Sequence, residues 1–226
     1  VGYTSASQPL WDMSIAFLAG NLSAIMVLGM VLMFEQVGFV TDYKLLELTN
    51  LNHPLLRQLM LRAPGSYQHS VGVGSIAEAA AECSGWNALM TRVRGYVDDT
   101  GKAGKPDYFI ENLRDAPSPH ARLQPRQSAR IIINHVLDGE ALARQYKLPK
   151  PILDGILMHH GTGIIQYFYA KAVEAAEEGM VVDPDDFRYP GELPNTREAG
   201  IIFLADRVEA ACRTLKDPTR ESIGGM

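Results

Sequence analysis

The chain has 226 residues, with 21 Lys and Arg against 26 Asp and Glu and a formal net charge of −5. No basic run that could track a nucleic-acid backbone breaks this mildly acidic balance, which excludes a DNA or RNA polymer as partner. Cys83 and Cys212 are too few for a disulfide framework and form no C-x-x-C pair. They point to a reducing compartment and read as small core residues.

The length suits one main domain plus an appendage, and the appendage comes first. Residues 13–34, MSIAFLAGNLSAIMVLGMVLMF, carry no charge. As a helix they span about 33 Å at about 1.5 Å per residue, which matches the ~30 Å hydrocarbon thickness of a bilayer. Gly20, Asn21 and Ser23 are tolerable where membrane helices pack. A signal peptide would want a basic leader and a shorter apolar core, and only Asp12 precedes. The competing reading is a buried helix of a soluble protein. The nearby basic residues Lys44, Arg57 and Arg62 all lie C-terminal to the segment, so the positive-inside bias puts its C-terminal side in the cytoplasm. The chain opens on Val1 and not Met, as a piece of a longer protein would. Residues 1–34 are assigned to a membrane helix and its flank, 35–46 to a juxtamembrane connector and 47–226 to a soluble domain.

Beyond the connector the pattern is helical throughout. LLELTNLNHPLLRQLMLRAPG gives two short helices broken at Asn52-His53-Pro54, and Ser66 is the expected N-cap of a helix running through Cys83. Residues 88–97 give the next helix, which ends in the turn Asp98-Asp99-Thr100-Gly101-Lys102. Pro106, Pro117, Pro119 and Pro125 punctuate a loop-rich stretch. Helices are expected over 128–146, 151–161, 164–178 and 197–215, with MVVDPDDFRYPGELPNT as a polar insertion before the last. No period-2 strand of usable length appears, so the fold class is all-α.

Metal-capable side chains recur within these apolar stretches. In order they are His69, Asp98-Asp99, His135, His159-His160 and Asp206; of the histidines only His53 and His120 fall outside the set. One such histidine is most simply a hydrogen-bonded core residue, but the whole set points to a shared metal site. Imidazole with carboxylate suits Mn, Fe or Zn. Adjacent acids at a helix end can bridge two ions, and His159-His160 can turn toward one centre where the helix runs into Gly161. Two ions would activate a water and clamp a phosphate ester, with Lys102 neutralising phosphate charge. Gly72-Val73-Gly74 lacks the strand and third glycine of a dinucleotide fingerprint and reads as close helix packing. The aromatics of QYFYAKA, Tyr167 among them, suit either a base-stacking platform or a core.

These residues carry a resemblance. WDMSIAFLAGNLSAIMVLGMVLMFE, LLELTNLNHPLLRQLMLRAPGSYQHSVGVGSIAEAAAE, GKAGKPDYFIENL, IIINHVLDGEALARQYKLP, HHGTGIIQYFYAKA and DFRYPGELPNTREAGIIFLADRVEAA resemble the last membrane helix and cytoplasmic HD hydrolase domain of bacterial seven-transmembrane receptors that degrade cyclic di-AMP. The resemblance implies an HD-domain helical bundle behind one transmembrane helix, incomplete at both ends, in the bacterial inner membrane with the HD domain in the cytoplasm. It implies hydrolysis of cyclic di-AMP to linear pApA with two divalent ions, Mn or Fe, held by His69, Asp99, His135, His159, His160 and Asp206. Lys102 and Tyr167 are the expected substrate contacts, and a homodimer is compatible with the pattern. The family's His-Asp-x-Gly-Lys reads Asp98-Asp99-Thr100-Gly101-Lys102 here. Asp98 is therefore expected as a ligand of shorter reach and added negative charge, altering the position shared with His69 and Asp206. Gly161 after the histidine pair, and the context of Arg188-Tyr189-Pro190, separate the chain from the cyclic di-GMP branch. Two further readings are a catalytically impaired nucleotide-binding receptor domain and an HD-fold nucleotidase, the latter disfavoured by the membrane helix.

Overall fold

The computed structural model describes residues 8–36, 42–113, 116–177, 179–215 and 219. It divides into two compact units, Val1–Thr41 and Asp42–Met226. The expected flank before Gln8 and residues 37–41 of the expected connector lie outside the described residues.

The first unit is one helix, α1 (Gln8–Gln36). Its polar side chains are satisfied within the helix: Ser14 Oγ donates to the Leu10 carbonyl at 2.8 Å and Asn21 Nδ2 to that of Phe17 at 2.7 Å. A bilayer, which offers no water to bond them, demands this of polar groups. Gln8–Phe34 is long and apolar enough to span a membrane, and none of it is buried by the rest of the chain.

The second unit contains α2 (Asp42–Leu48), α3 (Pro54–Arg62), α4 (Pro64–Cys83), α5 (Ala88–Val97), α6 (Pro125–Gln145), α7 (Lys150–Met158), α8 (Gln166–Glu174) and α9 (Arg197–Thr214). Its only pairing of β type among the described residues is a single bridge between Ile164 and Arg188. Leu45 and Leu48 of α2 are buried, so the compact unit begins at Asp42 and not at residue 47. Helix α4 begins at Pro64, whose missing N–H costs nothing in a first turn. Ser66 is therefore inside the helix and not its cap, and its Oγ donates to Glu111 Oε1 at 2.8 Å. Asn87 caps α5, its side chain accepting from the Met90 N–H at 2.9 Å.

Helices α4, α5 and α9 pack against one another. Val73, Ala77 and Ala81 of α4 meet Ile201, Ile202 and Ala205 of α9. Between α4 and α5 the backbones touch: a Cβ on Gly95 would stand 2.7 Å from Gly74 Cα, which is the packing role expected for that glycine. Buried Arg94 ties α5 to the starts of α7 and α9, donating to the Pro151 carbonyl at 3.0 Å and to Thr196 Oγ1 at 2.9 Å. Helices α6 and α8 cover a second core of Ala129, Phe168 and Phe187. Phe187 has no exposed surface, so the stretch expected as a polar insertion is anchored. The Ile165 N–H donates to the Phe187 carbonyl at 2.9 Å and the Tyr189 N–H to that of Gly163 at 2.8 Å. The cysteines are a correction: Cys83 is exposed and Cys212 half-buried, because both fall toward helix ends on outer faces.

The turn after α5 is a 3-10 helix, Thr100–Gly104, packed on α6. Gly101 lies flat against α6, where a Cβ would sit 1.9 Å from the His135 carbonyl oxygen and 2.5 Å from the Gly139 nitrogen. Both obstacles are backbone, so Gly101→Ala should destabilise the domain by about 2–3 kcal/mol in urea unfolding. An unchanged urea midpoint would mean that the turn is free to shift. Deleting residues 1–41 should leave a cooperatively melting domain that needs no detergent, as circular dichroism and gel filtration would show.

Candidate metal centre

The site forms where five helices meet. Helix α4 supplies His69, the end of α5 supplies Asp98 and Asp99, α6 supplies His135, the end of α7 supplies His159 and His160, and α9 supplies Asp206. Their donor atoms form two groups, each within 4.8 Å of one another: Asp99, His135, His159 and His160 in one, and His69, Asp99 and Asp206 in the other. Asp99 belongs to both.

The lone pairs show what the first group lacks. His135 Nδ1 lies 2.5 Å from the Ile132 carbonyl and His159 Nδ1 2.6 Å from that of Ile156. A carbonyl only accepts, so both protons sit on Nδ1. The two Nε2 atoms then face each other across 3.1 Å, with Asp99 Oδ1 at 3.4 and 3.6 Å. Burial lowers the pKa of His135, whereas Asp99 and Asp98 raise that of His159 against its burial. Neither Asp99 oxygen has a well-aligned hydrogen bond, although the residue is fully buried. Imidazole nitrogens converging on a buried carboxylate call for a cation between them, a proton on His159 or a metal ion, so the donor set fits a metal ion. Helix α7 ends at Met158, and Gly161 takes φ +57°. That turn brings both rings of the pair, 4.0 Å apart, into one group.

In the second group His69 Nε2 is 3.2 Å from Asp99 Oδ2 and 3.0 Å from Asp206 Oδ1. Its Nδ1 meets Glu209 Oε2. Burial opposes a charge on His69, but the bonds to Asp206 and Glu209 outweigh it and raise its pKa to about 10. Burial also opposes the ionised form of Asp99, yet Lys102 and the histidines hold its carboxyl well below the usual range. Burial and the adjacent rings His159 and His135 push His160 well down.

Asp98, expected among the ligands, lies outside both of these groups. Its Oδ1 accepts from Ser70 Oγ at 3.3 Å and from the Asp99 N–H at 2.8 Å, and its Oδ2 has no partner. The short side chain reaches its own neighbours and stops. Burial and then the charge of Asp99 raise its carboxyl pKa. Lys102 Nζ is committed to two carboxylates, Asp99 Oδ2 at 2.7 Å and Glu111 Oε1 at 2.9 Å. Burial would lower its pKa, but these partners hold it above the ordinary value.

A cavity of about 470 Å³ opens over the cluster, walled by Phe109, Ile132 and Tyr189 and edged by Lys102, Glu111 and Arg213. Tyr167 does not line it. Tyr167 lies on the outer face of α8, 62% exposed, with Lys171 over its ring. Tyr189 takes the aromatic place instead, its ring 4.3 Å from that of His160. Sequence reasoning missed Tyr189, Glu111 and Glu209, because only the fold carries them to the cluster; the stretches RYP and FIEN gave no spacing signal. The two histidines left outside the set are ordinary. His53 accepts from the Leu55 N–H at the start of α3, and His120 Nε2 bonds the Tyr108 carbonyl.

An all-helical bundle converging histidines and aspartates on one buried carboxylate defines a class, and the match to known families agrees: residues 66–211 match the HD domain, and the chain belongs to that family. It is 43% identical over 212 residues to the cyclic-di-AMP phosphodiesterase PgpH of Bacillus subtilis (strain 168), covering 93% of this chain and 29% of that protein. To PgpH of Listeria monocytogenes serotype 1/2a it is 42% identical over 215 residues, covering 95% and 30%. The chain thus spans less than a third of the curated relatives it matches. The crystal structure of the L. monocytogenes PgpH HD domain in complex with cyclic-di-AMP superposes with a TM-score of 0.73 at 43% identity, covering 78% of this chain and 81% of that one.

The raised pKa of His69 has a signed consequence. A folded-state pKa of about 10 against 6.5 unfolded gives stability that is complete below pH 6.5 and lost as pH climbs through 10. Metal-free protein should therefore lose about 1 kcal/mol or more between pH 7 and 10, and His69→Gln should flatten that slope in urea titrations. An equal slope in both forms would show that His69 is not the titrating group. An ion at Nε2 must displace the same proton, so uptake there should strengthen as pH rises.

Proposed function

We propose that the second unit is a metal-dependent phosphodiesterase that hydrolyses cyclic di-AMP to linear pApA, held at the cytoplasmic face of the bacterial inner membrane by α1. The observation that carries this is the pair of donor groups sharing Asp99, with the Nε2 atoms of His135 and His159 facing each other beneath a cavity large enough for a nucleotide. The names of the PgpH relatives, and the cyclic-di-AMP complex of one of them, supply the substrate class.

His135, His159, His160 and Asp99 would hold one divalent ion, Mn or Fe, and His69, Asp99 and Asp206 a second. Bound ions supply an activated water and neutralise charge on the phosphate under attack. The chain does the rest. Lys102 keeps Asp99 ionised, so that both oxygens remain donors. Glu111 holds Lys102 in place from its other side. The apolar walls Phe109, Ile132 and Tyr189 exclude water and offer faces to the adenine rings, while Arg213 at the edge meets phosphate charge.

A second reading, that of a nucleotide-binding domain with weakened turnover, is favoured by one observation: Asp98 contributes to neither donor group. The two are separated by assaying the full chain in detergent with Mn and cyclic di-AMP, beside Asp98→His. We expect the substitution to raise the hydrolysis rate at least tenfold, about 1.4 kcal/mol in barrier, with a smaller change in affinity. Equal, substantial rates would show that the site is complete as it stands. Binding without turnover in either form would leave the receptor reading.

A further inference from the structure

Three of the site imidazoles turn Nε2 to the cluster and commit Nδ1 elsewhere. His135 and His159 commit theirs to carbonyls three residues back on their own chain. Those acceptors come with the backbone and would serve any side chain. His69 is the exception: its Nδ1 meets the Glu209 carboxylate of α9, 140 positions away in sequence.

The surroundings keep Glu209 in that place. Arg213 Nη2 donates to its other oxygen at 2.5 Å, holding the carboxylate from the far side. Gly72 leaves α4 bare on this side: a Cβ there would already touch Glu209 Cγ at 3.5 Å, so any longer side chain would push the carboxylate away. Arg213 lines the same cavity as His69 and Asp206.

We infer that Glu209 is the positioning residue of the His69–Asp99–Asp206 donor group, locking the His69 proton on Nδ1 so that Nε2 faces an ion. This rests on the metal-centre reading above. A carboxylate acceptor fixes the tautomer and ring angle and makes the ligating nitrogen a stronger donor than a carbonyl does. The effect matters most here, because this group has three donors where its neighbour has four. The inference gives His69 a carboxylate outer partner where His135 and His159 have backbone carbonyls.

The test uses the full chain in detergent, with Glu209→Ala and Glu209→Gln, titrated with Mn alone. Bound ion is counted by equilibrium dialysis and elemental analysis, and electron paramagnetic resonance distinguishes a lone Mn from a coupled pair. The unaltered protein should take up two ions in two steps. Glu209→Ala should keep the first step and weaken the second 10- to 100-fold, the usual range for an outer-shell partner, with loss of the coupled signal at limiting Mn. Glu209→Gln, which still accepts through its amide oxygen, should fall between. A second step unchanged within twofold in Glu209→Ala overturns the inference. Equal weakening of both steps also overturns it, since that is what a general structural defect would produce. Uptake of no second ion by the unaltered protein overturns both this and the two-ion reading, and it is recognisable before any substitution is made.

Discussion

The second unit is organised around the buried carboxylate of Asp99. Taking such a group out of water costs several kcal/mol even after relaxation, and here no aligned hydrogen bond offsets it. The surrounding chain supplies positive charge instead. Lys102 reaches Asp99 because the 3-10 turn Thr100–Gly104 folds it back over the intervening residues. That turn can lie on α6 only because Gly101 has no side chain, and the same contact sets the height of His135 beside Asp99. One carboxylate thus dictates a turn, a glycine and the register of a helix.

The charges around it do not balance by themselves. Asp99, Asp206, Glu111 and Glu209 face Lys102 and Arg213, with the imidazoles left to take up the difference. His69 does so by holding a proton well above the ordinary histidine range. Asp99 and Asp98 raise the pKa of His159 as well, whereas burial lowers that of His135 and His160. Each half of the site therefore has one imidazole whose pKa the carboxylates raise, His69 in one and His159 in the other.

Much of this is legible in the sequence, and physical reasons separate those parts from the rest. The helices show in their 3.6-residue periodicity and in breakers such as Pro54 and Gly85, which are local facts. The metal-capable set is legible because histidines embedded in apolar helical stretches are conspicuous wherever the chain later takes them. Ser66 reads as a cap in sequence and is not one, because Pro64 starts the helix first. Tyr167 and Tyr189 could not be ranked, since one faces solvent and the other reaches the site through an anchor on Phe187, a long-range contact. Glu209 sits three residues past Asp206 and looks like any surface acid of a helix until α4 is packed against it.

Asp98 shows the limit most clearly. From sequence it stands where the family's motif has a histidine, and substituting one ligand type for another is the natural reading. In the fold it does something else: it caps the end of α5 and accepts the backbone N–H of Asp99, which fixes the orientation of the carboxylate both donor groups share. Ser70, the residue after His69 on the same helix, holds its Oδ1 from the other side. An imidazole at this position is long enough to extend past these neighbours toward the cluster; a carboxylate one methylene from the backbone is not.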